Sequence, residues 1–197
     1  MLVRDVAEIL AQSGGLLEGH FLLSSGRHAD RYLQLAKPFE RPDVARELAE
    51  GLAARVRAAG VVPRTVLGPA LGAIVPGFAL AQALGCRFVF CEREDGRFAL
   101  RRGFELAASE PVLICENTLT TGGSALEALQ LARAHGAAVL GVAVYCDRIA
   151  VPDGVFPVPY VALERFDLPS WPAAECPLCA AGVPGPQKPG SRPGMAR

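Results

Sequence analysis

Apolar positions along the chain follow two alternating rhythms. Near the N-terminus Leu2, Val3, Val6, Ile9 and Leu10 keep helical spacing until Gly14-Gly15, which predicts a helix over residues 2–12. Residues 19–35 read differently: strand-like Phe21-Leu22-Leu23 and Tyr32-Leu33-Gln34-Leu35 flank a Ser24-Ser25-Gly26 turn. After Pro42-Asp43, a favourable helix start, Val44, Leu48, Leu52 and Val56 return to helical spacing up to Gly60.

From there strands and helices alternate. The pattern predicts strands at 65–67, 87–91, 112–115 and 138–145, with helices at 73–84 and 124–135 stopped by Gly85 and Gly136. Strands apolar on both faces and separated by helices imply a mostly parallel sheet flanked by helices, an α/β fold. Between 92 and 110 the rhythm breaks into charged residues, and Asp95-Gly96 before Phe98-Ala99-Leu100 predicts a hairpin projecting from the sheet. Beyond 180, Gly, Pro and polar residues without period predict a flexible tail over 181–197. The expected organisation is a single domain over 1–180, with the strand–turn–strand piece at about 16–35 and the core at about 43–165.

Composition narrows the function. The 197 residues are 51% hydrophobic, enough for one sizeable core, and 20 Lys+Arg balance 20 Asp+Glu, so no overall field draws the chain to nucleic acid or a membrane surface. No apolar run approaches the ~20 residues of a membrane span, and the N-terminus lacks signal-peptide character, so a cytoplasmic location is expected. Of six cysteines, Cys86, Cys91, Cys115 and Cys146 lie in apolar runs as reduced core residues.

The densest chemistry sits in Val112-Leu113-Ile114-Cys115-Glu116-Asn117-Thr118-Leu119-Thr120-Thr121-Gly122-Gly123-Ser124. An apolar strand delivers a carboxylate at its C-terminal end, and a hydroxyl- and glycine-rich turn then opens a helix. In open α/β sheets ligands bind beyond the carboxyl ends of strands, where helix N-termini offer unpaired N–H groups to a phosphate. Any one of these residues reads more plainly as a helix cap, but the whole string is rarer than its parts. Neither a Walker loop nor a Gly-x-Gly-x-x-Gly motif is present.

The string resembles the phosphoribosyl pyrophosphate (PRPP) motif of type I phosphoribosyltransferases: an apolar strand, two acidic residues, two more residues, then Thr-Thr-Gly. That resemblance implies the type I fold and PRPP contacts from Glu116, Asn117, Thr118, Leu119, Thr120, Thr121, Gly122, Gly123 and Ser124, with Glu116 on the ribose hydroxyls. The chain departs from the motif at Asn117, where a second acidic residue is usual. Gly68-Pro69-Ala70-Leu71-Gly72-Ala73 is similar to the family's pyrophosphate loop, which adds Ala70, Leu71 and Gly72, here without the Lys some members carry.

The run from Gly19 through Tyr32 is similar to the base-covering N-terminal flap of bacterial orotate phosphoribosyltransferases. It implies orotate contacts from Ser25, Gly26, Arg31 and Tyr32, joined by Thr120 and by Arg148 of Cys146-Asp147-Arg148, whose planar guanidinium suits a carboxylate. His20 and His28 read as structural hydrogen-bonding residues. The charged hairpin resembles the family's mobile catalytic loop, often supplied by the neighbouring subunit. By that resemblance Arg93, Arg101 and Arg102 are catalytic beside Glu116 and Asn117, with Arg93 also on PRPP; lysines occur only at 37 and 188.

The resemblance thus implies transfer of ribose 5-phosphate from PRPP to orotate, Mg²⁺ bridging PRPP oxygens without direct protein ligands, and a homodimer. Two alternatives stay open: a phosphoribosyltransferase for another base, and a PRPP-binding regulator or inactive paralogue. Cys176-Pro177-Leu178-Cys179 is half of a zinc knuckle that needs ligands from elsewhere or from a partner chain, and no metal is assigned to it.

Overall fold

The computed structural model describes residues 5–23, 25–148 and 155–189. Expectations for residues 2–4, for Ser24 and for 190–197 lie outside them. The first helix, α1, is Val6–Gln12, and the Asp5 side chain caps it by accepting the Ala7 N–H at 2.8 Å. β1 (Leu16–Leu22) and β2 (His28–Leu33) then form an antiparallel two-stranded sheet of their own. α2 (Pro42–Ala58) starts on its proline, as Pro at the first helical position favours.

The main sheet follows. β3 (Thr65–Pro69), α3 (Ile74–Leu84), β4 (Arg87–Glu94) and β5 (Arg97–Leu100) lead to β6 (Pro111–Leu119), α4 (Gly123–Ala134), β7 (Ala138–Asp147) and β8 (Tyr160–Arg165). A four-residue helix, α5 (Pro177–Ala180), comes last. The six strands run β5-β4-β3-β6-β7-β8, and only the β4–β5 pair is antiparallel. Side-chain alternation divides the core between the two faces of this sheet. Leu113, Cys115 and Tyr145 pack with α1, α2 and α3, while Val112, Ile114 and Val144 pack with α4.

Four features differ from the sequence pattern. β8 was not predicted, because its partly exposed edge position leaves only Leu163 fully buried and so blurs the apolar run. β6 runs to Leu119 instead of stopping at Cys115: the polar Glu116, Asn117 and Thr118 disguise a strand that still pairs with β7 through Leu119↔Asp147. The hairpin turns at Asp95 and Gly96, both at positive φ as its sequence required, and passes the last β3 pair, Pro69↔Cys91. It is nonetheless held down, since Glu127 of α4 accepts from the Phe98 N–H at 2.8 Å.

The fourth difference corrects the expected tail. Residues 181–189 are docked on β1: the Leu22 N–H donates to the Gln187 carbonyl at 2.7 Å, and the Gln187 N–H to that of His20 at 2.8 Å. Backbone pairing needs no apolar period, which is why composition alone misread this stretch as flexible. The four cysteines expected in the core are buried at 91, 115 and 146 and partly buried at 86. Among the described residues no helix is long and apolar enough to cross a membrane.

Candidate active site

β3 and β6 are adjacent in the sheet, and each ends in a turn leading to a helix on an opposite face. That is the switch point where open α/β sheets form a crevice. A cavity of ≈ 1400 Å³ opens there, roofed by the β1–β2 hairpin. Ser25 and Tyr32 from the hairpin, Leu71 and Gly72 after β3, Asn117, Thr118, Thr120 and Thr121 from β6 and its turn, and Arg148 after β7 all line it.

The two turns touch. A Cβ built on Gly72 would stand 2.9 Å from the Asn117 amide nitrogen, so only glycine lets the β3 loop lie against β6 at this point. The Asn117 side chain is further fixed because its Oδ1 accepts the Thr118 N–H at 2.7 Å. Behind it Glu116 is buried, and that burial pushes its carboxyl up to about 7 despite the Asn117 N–H donated to it at 3.1 Å. A carboxyl so placed is ready to ionise once a polar ligand supplies donors.

Gly122 caps α4 at φ 78, a conformation that favours glycine, and has no side chain of its own to cap the helix. Thr121 Oγ1 accepts only the Gly123 N–H, at 3.4 Å. This twelve-residue helix starts directly after the cavity-lining Thr120 and Thr121, and helix N-termini offer N–H groups to anions. Arg148 is held by its own N–H on the Leu119 carbonyl at 3.0 Å. Its Nε is buried without a hydrogen-bond partner among the described residues, and burial lowers its pKa.

Other predicted residues lie elsewhere. Ala70 and Glu116 are not among the residues lining the cavity, the Leu119 side chain is core, and Gly122, Gly123 and Ser124 form the helix start. Gly26 is at the exposed hairpin tip, and Arg31 turns away to donate to the Asp167 carbonyl at 3.1 Å. The three hairpin arginines do not line the cavity. Each is paired within the chain: Arg93 with Glu127 at 2.8 Å, Arg101 with Glu94 at 3.6 Å and Arg102 with Glu92 at 2.6 Å.

No family model matches the chain. Orotate phosphoribosyltransferase of Wolinella succinogenes is 44% identical over 200 residues, covering 95% of this chain and 97% of that protein. The namesake protein of Nitratiruptor sp. is 45% identical over 200 residues, covering 95% and 98%. The chain belongs to the orotate phosphoribosyltransferase family. The crystal structure of orotate phosphoribosyltransferase from Aeropyrum pernix superposes with a TM-score of 0.69 at 22% identity, over 82% of this chain and 94% of that one, which establishes the shared type I fold.

As an orotate phosphoribosyltransferase, the chain has cavity residues that motif reading missed. Arg27 lines the cavity, and its Nε donates to Ser170 Oγ at 2.9 Å, tying the hairpin tip to the segment after β8. Lys188, assigned to the tail, also lines it and adds a cation to a site whose loops have no lysine. Only the excess of short-range turn residues around it marked that stretch, and nothing in its sequence pointed to the cavity. None of the four side chains grouped closely enough to hold a metal, His20, His28, Cys176 and Cys179, lines the cavity.

Proposed function

We propose that the chain transfers ribose 5-phosphate from PRPP to orotate, giving orotidine 5′-monophosphate and pyrophosphate in pyrimidine biosynthesis. The observation that carries this reading is Arg148, a guanidinium at the wall of the crevice beside Tyr32 whose buried Nε has no hydrogen-bond partner among the described residues. Orotate's carboxylate is the planar, bidentate acceptor that would complete it. The start of α4 with Thr120 and Thr121 would take the 5-phosphate, and the Leu71–Gly72 turn the pyrophosphate, by backbone N–H groups. The β1–β2 hairpin would act as the flap over the base.

In the reaction a bond forms from the orotate ring nitrogen to the anomeric carbon as the bond from that carbon to pyrophosphate breaks. The transition state is cation-like, so fixed geometry and negative charge matter more than proton transfer. Glu116 would accept the ribose hydroxyls and face the growing charge. Mg²⁺, where bound, neutralises the leaving pyrophosphate. One buried carboxyl and an amide whose oxygen is already bonded make a poor protein cage for it, which fits a metal carried by PRPP oxygens.

Arg93, Arg101 and Arg102 would reach pyrophosphate from a neighbouring copy. A homodimer is supported by the exposed apolar Leu71, Val75 and Phe78 beside the cavity mouth. A cytoplasmic location is supported by six free cysteines. The test is turnover with PRPP, Mg²⁺ and a panel of bases, followed by pyrophosphate release. Orotate alone should support it; release with adenine or uracil instead, or with no base, overturns the assignment.

A further inference from the structure

The Cys176–Cys179 pair has two partners within its own chain. His20 Nε2, His28 Nδ1, Cys176 Sγ and Cys179 Sγ all lie within 4.8 Å of one another, although they come from β1, β2 and the α5 knuckle, more than 140 residues downstream. His20 Nε2 is 2.9 Å from His28 Nδ1 and 3.6 Å from each sulfur, and Cys179 Sγ is 3.3 Å from His28 Nδ1. Hydrogen bonds cannot explain this set. A ring nitrogen has either one proton or one lone pair, yet His20 Nε2 faces three neighbours at once.

We propose that His20, His28, Cys176 and Cys179 bind a structural zinc ion. Zinc bonds of about 2.0 Å to nitrogen and about 2.3 Å to sulfur set tetrahedral edges of roughly 3.3 Å between nitrogens and roughly 3.6 Å between nitrogen and sulfur. The four separations around His20 Nε2 and between Cys179 and His28 need shifts of only a few tenths of an ångström to meet them, and the remaining pairs lie within 4.8 Å. His20 Nδ1 lies 3.3 Å from the Val183 carbonyl, so its proton belongs there and Nε2 is left with the lone pair a metal needs. Three of the four residues are buried, and two thiolates with two imidazoles in a tetrahedron select zinc over harder cations.

Four protein ligands fill the coordination sphere, so the ion has no open position for chemistry. Its effect is mechanical. It fastens the segment carrying Lys188 to the hairpin carrying Ser25, Arg27 and Tyr32, and so fixes two walls of the cavity. This inference rests on the ligand geometry and stands apart from the reaction proposed above.

The test uses the full chain purified under reducing conditions without added metal. Elemental analysis should find stoichiometric zinc, and replacement by cobalt should give the intense visible bands of a tetrahedral site with thiolate-to-cobalt charge transfer. Cys179→Ser should lose the metal, while Cys179→His, which keeps a ligand there, should retain it. Stripping zinc from the parent with a strong chelator should lower its melting temperature, and added zinc should restore it. The proposal is overturned by a chain that takes up no zinc on incubation, by a pale octahedral cobalt spectrum, or by a Cys176–Cys179 disulfide in the purified protein. Stoichiometric iron in place of zinc would overturn the choice of metal.

Discussion

Replacing Arg148 by Met should weaken orotate and strengthen the empty protein at the same time. The side chain is of similar length but apolar, so it fills the volume without the guanidinium. On the ligand side, each hydrogen bond to an ionised partner contributes about 1.5–3 kcal/mol, and a bidentate pair about 3–4 kcal/mol after mutual compensation. That corresponds to a loss of roughly 100- to 1000-fold in orotate affinity. PRPP touches other residues and should bind within about threefold of the parent. On the stability side, Arg148 Nε is buried without a described partner, a situation that costs about 1–3 kcal/mol when complete. The residue is only partly buried, so about 1 kcal/mol is the fair share, or a rise of about 2–4 °C in Tm for a chain of this size. Calorimetric titration with orotate and with PRPP, beside thermal melts without ligand, measures both sides. Equal losses for the two ligands, or a lower Tm, would refute the view of Arg148 as a donor held ready for a carboxylate.

Three further outcomes follow from the same geometry. Asn117→Asp should raise kcat about tenfold at saturating PRPP: a carboxylate at ~6 Å from the growing cation at an effective dielectric of ~20 is worth roughly 2–3 kcal/mol, reduced by screening. An equal or lower kcat would mean the amide held by Thr118 is the better fit. Glu116, raised by burial to about 7, keeps its proton in the folded chain where the unfolded chain has lost it, so it lowers stability progressively from pH about 4.5 to about 7 and by a constant amount above. Glu116→Gln should therefore gain Tm relative to the parent between pH 5 and pH 8, by roughly 3 kcal/mol at most, and parallel melting curves would exclude it. Arg101→Ala should lower kcat with Tm unchanged, since its exposed pair with Glu94 contributes almost nothing, whereas Arg93→Ala should also lose about 1 kcal/mol of stability with its two-pronged bond to Glu127 and its place over the Phe98 ring. Unchanged turnover in both would remove the hairpin from the reaction.

Much of this was legible in the sequence because it depends on local rules. The β6-to-α4 turn could be read from its hydroxyls and glycines, the hairpin from Asp95-Gly96, and the alternation of β3, α3 and β4 from apolar rhythm. Where the chain obeys another part of itself, the signal vanishes. Residues 181–189 have no period because their order comes from hydrogen bonds to β1, and Lys188 reaches the cavity only through that docking. Arg31 matched a motif, yet Asp167 captures it. His20 and His28 read in the sequence as hydrogen-bonding residues, and only the fold brings Cys176 and Cys179 against them.

The hairpin that roofs the cavity is made early in the sequence and secured late. Arg27 is bonded across 143 positions to Ser170, and His20 across 163 positions to Val183. During synthesis at about 5–20 residues per second, residues 16–33 wait roughly 10–30 s before those partners exist. Through that interval the hairpin is a two-stranded ribbon with little stability of its own. The roof of the crevice is therefore finished late, and a ribosome that stops short of residue 170 releases a chain with most of its core but no roof.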